Sequence, residues 1–189
     1  MKEILVATNN KGKLEEIKQI LKDYNLLSLK DIGCKVNVDE DGKTFEENAI
    51  KKAKEISKIT NMPCIADDSG LCIDVLNGWP GVHTARFLGE NATDEDRNNY
   101  ILEKMKNEKN RSAKVVCAIA YYYKEDTIVV RGEIEGKIPK EKRGENGFGF
   151  DSIFELENEK TLAELTNEEK NKVSSRKIAL EKLKEKLEK

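Results

Sequence analysis

The sequence has few of the residues that build metal-binding or disulfide frameworks. It has 189 residues, with four cysteines and one histidine, His83. No two cysteines form a C-x-x-C pair, so the spacing favours neither a zinc site nor a disulfide framework. Reduced thiols in a cytosolic protein are the simpler interpretation, and we expect a cytoplasmic location. The chain starts with a strand-like run, so we expect no signal peptide.

The sequence also lacks an excess of one charge and any long apolar run. Its 34 Lys and Arg residues and 36 Asp and Glu residues leave a formal net charge of -2. Without a global basic field we expect no nucleic-acid binding, and an anionic ligand must be held by a local cluster. No apolar stretch approaches the roughly 20 residues of a membrane span, so we expect no membrane association. The length fits one domain.

Apolar runs and helical spacing alternate along the chain, which predicts an α/β fold. Thr44 and Glu47 form a capping box at one helix start, and Thr166 and Glu169 form a second. The predicted helices cover residues 14–21, 44–59 and 93–105, with a charged helix from 166 to the C-terminus. The predicted strands cover residues 4–7, 34–38, 63–66 and 71–75, with a hairpin formed by 114–123 and 127–135.

An acidic segment, Asp67-Asp68-Ser69-Gly70, lies between two of these strands. Neighbouring carboxylates at the end of a buried strand repel each other and lose hydration, whereas a Mg²⁺ site needs such oxygen ligands. Side chains alternate on an extended backbone, so a third carboxylate must complete a site, and Glu40 is the candidate. The alternative is an exposed turn, since Asp, Ser and Gly all favour turns.

The segment Thr8-Asn9-Asn10-Lys11-Gly12-Lys13 joins a predicted strand to a predicted helix. Free backbone N–H groups and the helix dipole make such a junction a natural phosphate site. The segment is not a Walker A loop. The alternative is an asparagine helix cap followed by solvated lysines.

Two later segments also carry candidate side chains. Phe148 and Phe150, between glycines, can stack on a nucleobase, and Asp151 can accept a hydrogen bond from a base or ribose. A core aromatic pair at a tight bend is the alternative. Lys170 and Arg176 suit phosphate or carbonyl groups, although on a basic helix such residues are more often plain surface residues.

Five motifs occur in register along the chain. They read T-N-N-K-G-K at 8–13, G-K-T-F-E-E-N-A at 42–49, A-D-D-S-G-L at 66–71 with P-G-V-H-T-A-R at 80–86, F-G-F-D at 148–151, and A-E-L-T at 163–166 with E-K at 169–170. Together they resemble the motifs of the inosine/xanthosine triphosphate pyrophosphatase family, from Ile4 to about Leu183.

The resemblance implies an activity and a fold. Family members hydrolyse non-standard purine nucleoside triphosphates such as ITP, dITP and XTP to the monophosphate and pyrophosphate, with Mg²⁺ as cofactor. The implied fold is a single domain, residues 1–189, with a long mixed twisted β-sheet flanked by helices and two lobes around a central active-site cleft. The family is usually homodimeric.

The resemblance also implies residue roles. Glu40 and Asp68 match metal ligands, and Asp68 matches the proton acceptor for the attacking water. The residues matching substrate contacts are Thr8, Asn9, Asn10, Lys11, Gly12, Lys13, Ser69, Phe148, Gly149, Phe150, Asp151, Lys170, Ser175 and Arg176.

One position departs from the family pattern. The family commonly reads S-H-R where this chain has Ser174-Ser175-Arg176, and that histidine helps to recognise the base. Ser175 keeps a donor and an acceptor, and Arg176 is left to reach the 6-oxo group of the base. Two alternatives stay open: a pyrophosphatase of broader or modified-pyrimidine specificity, and a nucleotide-binding sensor with weak catalysis.

Overall fold

The computed structural model describes residues 3–188 and shows an α/β chain. Strands β1 to β5 are Glu3–Val6, Asn25–Ser28, Cys64–Ile73, Ser112–Tyr123 and Asp126–Lys137. Helices α1 to α5 are Lys11–Ile20, Phe45–Thr60, Asp94–Lys104, Asn167–Val173 and Ser175–Leu187. Met1, Lys2 and Lys189, which end the predicted domain, lie outside the described residues.

The strands form one mixed sheet in the order β2-β1-β3-β4-β5. β1 is parallel to both β2 and β3, whereas β4 and β5 are the two arms of a hairpin. The hairpin turn places Lys124 and Glu125 at φ 47° and 71°, the left-handed conformation that two-residue hairpin turns favour. The predicted mixed sheet with flanking helices is confirmed.

Capping side chains begin the predicted helices where the sequence indicates. Thr44 accepts a hydrogen bond from the Glu47 N–H at the start of α2, but the return bond of the predicted capping box comes from the Lys43 N–H, and not the Thr44 N–H, to Glu47 Oε2. Thr93 and Asp96 form a reciprocal capping box at α3, and Thr166 and Glu169 form one at α4. These bonds satisfy N–H groups that have no partner inside the helix.

The prediction of a strand over residues 34–38 is wrong, and β2 was not predicted. Within the described residues, the segment 34–38 has no strand pairing. Burial nevertheless alternates along it, from half-buried Cys34 and Val36 to buried Val38. The alternation of apolar residues correctly predicted which side chains are more buried. It does not indicate whether a neighbouring strand is available for pairing.

The prediction of two strands around an acidic turn is also wrong. β3 is continuous, and all of Asp67, Asp68, Ser69 and Gly70 lie inside it. Both aspartates are buried. The turn preference of these residues does not decide the local structure here. Buried partners, described below, compensate the cost of burying the two carboxylates.

The predicted C-terminal helix is broken into α4 and α5. Ser174 lies between them with an extended backbone at ψ 152°. The break makes Ser175 the first residue of α5, so both Ser175 and Arg176 become buried instead of following the exposed face of α4.

The chain forms two compact units. Unit 1 comprises residues 1–68, 117–132 and 175–189, and unit 2 comprises 69–116 and 133–174. Each unit has its own apolar core. The first includes Ile17, Ile65, Ile119 and Leu180, and the second includes Leu71, Ile101, Ile153 and Phe154. Among the described residues, no helix is both long and apolar enough to cross a membrane.

Candidate functional site

In unit 1, the segment between β1 and α1 is a capped helix start. The Asn10 side chain accepts from the Lys13 N–H at 3.1 Å, and Thr8 Oγ1 accepts from the Asn10 N–H at 3.1 Å. The first turn of α1 contains no acidic residue, so nothing in it opposes an anion. The predicted strand-to-helix junction is present, and Asn10 is also the helix cap.

Asp67 lies in a buried ion cluster that contains Lys13, Glu16 and Arg176. Its Oδ2 is 3.0 Å from Lys13 Nζ and accepts from Arg176 Nη2 at 3.0 Å. Arg176 Nη1 donates to Glu16. Burial opposes ionisation, but the charges of Lys13 and Arg176 outweigh it and hold the pKa of Asp67 well below its usual range. Neither Lys13 nor Arg176 is a solvated surface residue.

Asp68 has different surroundings, although it is the next residue. It is 5% exposed, and its Oδ2 accepts from Asn48 Nδ2 at 2.8 Å. Burial raises the pKa of the Asp68 carboxyl to about 6; the Asn48 hydrogen bond opposes this rise and the charge of Glu40 adds to it. Asp68 is therefore a buried carboxyl that ionises near neutral pH.

Lys52 links one predicted metal ligand, Glu40, to β3, which carries the other, Asp68. Its ammonium pairs with Glu40 and donates to the Asp67 carbonyl oxygen at 3.1 Å. Burial lowers the pKa of Lys52, but the charges of Asp67 and Glu40 outweigh it and raise the pKa. Across residues 3–188, no three His, Cys, Asp or Glu side chains form a cluster that could hold a metal ion. Glu40 and Asp68 alone would not complete the coordination of a divalent ion, so such an ion would need further oxygen ligands.

In unit 2, the segment from Gly147 to Asp151 forms a tight loop around one carboxylate. Asp151 Oδ2 accepts from the Phe148 N–H at 3.0 Å and from Lys170 Nζ at 2.6 Å. Lys170 Nζ also lies 4.3 Å from the centre of the Phe148 ring. Gly147 has φ 75°, and a Cβ there would lie 2.0 Å from Asp151 Oδ2. Only glycine permits this loop.

Helix α3 holds the same loop through both backbone polar groups of one residue, Gly149. The Gly149 N–H donates to Asp94 Oδ2 at 2.9 Å, and Asn98 Nδ2 donates to the Gly149 carbonyl at 2.8 Å. Phe150 packs against the apolar core of unit 2, while Phe148 is half-buried. Each of the two interpretations applies to one aromatic residue. Phe150 packs on the core, as the core interpretation predicts, whereas the Phe148 ring lies beside the cation Lys170.

The predicted site residues fall into two groups. Unit 1 contains Thr8, Asn9, Asn10, Lys11, Gly12, Lys13, Glu40, Asp68, Ser175 and Arg176, and unit 2 contains Ser69, Phe148, Gly149, Phe150, Asp151 and Lys170. Arg176 is only 6% exposed and donates to two carboxylates. Its predicted contact with a base therefore stays a prediction.

The sequence interpretation missed three polar residues of unit 1: Glu16, Asn48 and Lys52. A signal was present for two of them. Asn48 and Lys52 are four residues apart and share a helix face with Phe45, Ala49, Ala53 and Ile56, which are buried. Polar side chains on an apolar face indicate a buried partner, and here the partners are Asp68 for Asn48, and Glu40 for Lys52.

Comparison with known proteins gives consistent matches over nearly the whole chain. The chain is 47% identical to a dITP/XTP pyrophosphatase of Bacillus subtilis (strain 168), covering 100% of this chain and 98% of that protein. It is also 47% identical to a dITP/XTP pyrophosphatase of Clostridium perfringens, covering 99% and 98%.

Solved structures match equally well. The Staphylococcus aureus Ham1 protein aligns with TM-score 0.89 and 42% identity over 99% of this chain and 98% of the other. A HAM1 protein from Coxiella burnetii aligns with TM-score 0.90 and 40% identity over the same shares. The model of the Ham1 family matches residues 4–186. The chain belongs to the Ham1 family.

Proposed function

We propose that this protein is a nucleoside triphosphate pyrophosphohydrolase that acts on non-standard purine nucleotides such as dITP, ITP and XTP. Water adds across the bond between the α and β phosphates, which gives the nucleoside monophosphate and pyrophosphate. The relatives with 47% identity carry the name dITP/XTP pyrophosphatase. Within the chain, the buried carboxyl of Asp68, whose pKa is raised to about 6, supports the same reaction.

The residues of unit 1 fit a Mg²⁺ ion. Mg²⁺ is usually bound by one or two carboxylates together with waters and substrate phosphates. Glu40 and Asp68 supply two carboxylates whose charges act on each other, as the contribution of Glu40 to the raised pKa of Asp68 indicates. When bound, the ion would neutralise phosphate charge. Glu40 and Asp68 are the residues that would hold it.

Asp68 is the group proposed to accept the proton of the attacking water. A general base works best when its pKa lies near the operating pH. In the metal-free protein the Asp68 carboxyl has a pKa of about 6, so it is ionised at pH 7 yet more basic than an ordinary aspartate; a bound Mg²⁺ would lower this pKa. Asp67 is unsuited to the role because Lys13 and Arg176 stabilise its ionised form.

The remaining predicted contacts divide by chemistry. The first turn of α1, with Lys11, Gly12 and Lys13, suits the phosphates. The Phe148 ring suits stacking on a base, and Lys170 suits a negative or carbonyl group beside it. Ser175 and Arg176 are proposed to contact the 6-oxo edge, which adenine lacks.

A turnover assay tests the proposal. The four common NTPs, the four common dNTPs and dUTP are compared with ITP, dITP and XTP, with and without Mg²⁺, and both products are measured. We expect Mg²⁺-dependent formation of monophosphate and pyrophosphate, fastest with ITP, dITP and XTP. Asp68→Asn should lower kcat about 10²–10⁴-fold while nucleotide binding persists.

Other outcomes identify the alternatives. Preferential turnover of dUTP would indicate pyrimidine specificity, and orthophosphate release would indicate cleavage at the γ phosphate. Nucleotide binding without turnover would indicate a sensor. Full turnover by Asp68→Asn would contradict the assigned role of Asp68.

Two further assignments follow from the sequence: the homodimer rests on the motif resemblance, and the cytoplasmic location rests on the absence of paired cysteines. We propose that the protein is a homodimer and acts in the cytoplasm. Light scattering after size exclusion should give twice the 21.5 kDa chain mass, and a monomer mass at micromolar concentration would contradict the first assignment. Cell fractionation tests the second.

A further inference from the structure

Asn48 connects Asp68 to the segment that carries Glu40. It lies on α2 and is 1% exposed. Its Nδ2 donates to Asp68 Oδ2 at 2.8 Å, and its Oδ1 accepts from the Gly42 N–H at 2.7 Å. Both ends of one buried amide are therefore used, each with a different partner.

The Gly42 contact is sterically selective. A Cβ at Gly42 would lie 2.6 Å from Asn48 Oδ1 and 2.9 Å from Glu47 Cβ. Real side chains do not approach so closely, so this bond requires glycine at position 42. The next peptide is also held, since the Lys43 N–H donates to Glu47 Oε2 at 2.7 Å. The segment that follows Glu40 is thus fixed to the first turn of α2.

These contacts constrain where the two predicted ligand carboxylates lie. Glu40 is two residues before Gly42 along the chain. Asp68 is held by the other end of the amide that holds Gly42. A buried amide with both bonds made has one orientation, since exchanging its oxygen and nitrogen would set two donors together at Gly42.

We propose that Asn48 is a positioning residue for the pyrophosphohydrolase reaction, which holds the Asp68 carboxylate in a fixed place relative to the Glu40 segment. The inference rests on the function proposed above. Groups that orient metal-ligating carboxylates typically change metal affinity or activity by about 10–100-fold when removed. Asn48 should act through Asp68, without touching the nucleotide.

Three variants test this role. Asn48→Asp keeps the size and the acceptor for Gly42 but loses the donor to Asp68. Asn48→Ala loses both bonds, and Gly42→Ala displaces the amide from the other side. For all three we expect kcat for ITP to fall about 10–100-fold, with KM for ITP changed less than about threefold. The Mg²⁺ concentration for half-maximal rate should rise about tenfold or more.

A readout independent of turnover accompanies the rates. Mn²⁺ binding to the nucleotide-free variants, followed by the electron paramagnetic resonance signal of free Mn²⁺, should weaken in parallel with the Mg²⁺ requirement. The double variant Gly42→Ala/Asn48→Ala should be no slower than Asn48→Ala, because both changes break one connection.

The matched control is Ser57→Ala, on the same helix. Ser57 is buried, and its hydroxyl donates to the Met62 carbonyl at 2.6 Å. Ser57→Ala should lower stability while leaving the Mg²⁺ requirement unchanged. If the Asn48 variants behave like Ser57→Ala, or if Asn48→Asp matches the unaltered protein, the positioning role is wrong. If the unaltered protein releases no pyrophosphate from ITP while the Mn²⁺ effect persists, the proposed function fails and the positioning of Asp68 stands.

Discussion

Strand β3 carries two neighbouring carboxylates into opposite electrostatic surroundings. Asp67 meets Lys13 and Arg176, and its pKa is held low. Burial raises the pKa of Asp68 to about 6; the amide of Asn48 opposes this rise, and the charge of Glu40 adds to it. The same residue type on adjacent positions is thus stabilised as an ion in one case and destabilised in the other. Burial opposes the ionisation of both carboxyls, and only at Asp67 do cationic partners outweigh it.

The largest expected effect comes from removing the stabilised carboxylate. Asp67→Ala leaves the buried guanidinium of Arg176 with less counter-charge, which should lower the free energy of unfolding by about 3–5 kcal/mol. Urea unfolding measures this. The control is Asp23→Ala, which removes an exposed ion pair with Lys184 and should change stability little. Equal effects of the two variants would contradict the account of Asp67.

The second prediction has the opposite sign. Asp68→Asn should raise the free energy of unfolding of the metal-free protein at pH 7 by about 1–3 kcal/mol. A carboxyl with a raised folded-state pKa favours folding while protonated, so its destabilising effect develops as pH rises from about 4 to about 6. The advantage of Asp68→Asn should therefore vanish near pH 4. Urea unfolding in EDTA at several pH values measures it, and a constant advantage would contradict the prediction.

The smallest expected effect concerns the cation on the Asp68 side. Lys52 lowers the pKa of Asp68 through its charge, against the larger effect of burial. Lys52→Met should therefore raise the Asp68 pKa above about 6, by roughly half a unit to one unit. Carboxyl ¹³C chemical shifts of the metal-free protein measure this titration. An unchanged or lower pKa would show that Lys52 does not act on Asp68.

The sequence predicted most elements whose signals are local. Thr44, Thr93 and Thr166 began helices as expected, because a cap depends on residues within one turn. The strand over residues 34–38 failed because pairing depends on a distant partner. Four residues, Asn25–Ser28, do form a strand beside β1, although nothing in so short a run distinguishes them from a loop.

The site divides in the same way. The junction that carries Thr8, Asn10 and Lys13 was predicted correctly, because one segment contains both the strand end and the helix start. The continuous strand through Asp67 and Asp68 was missed, because its stability comes from Lys13, Asn48 and Arg176, which are remote in sequence. Turn preferences apply to solvent-exposed segments, whereas these two aspartates are buried.

The cluster of Lys13, Glu16, Asp67 and Arg176 contains two positive and two negative side chains, so it is electroneutral as a whole. Such a group projects little field beyond its own dimensions. A phosphate bound at the start of α1, as proposed, would therefore interact more strongly with the backbone N–H groups there and with the ammonium of Lys11 than with the guanidinium of Arg176. Lys13 can bind an anion only while its ammonium also contacts Asp67. Anion binding through Lys13 would therefore depend on the buried ion cluster that holds Asp67 in place.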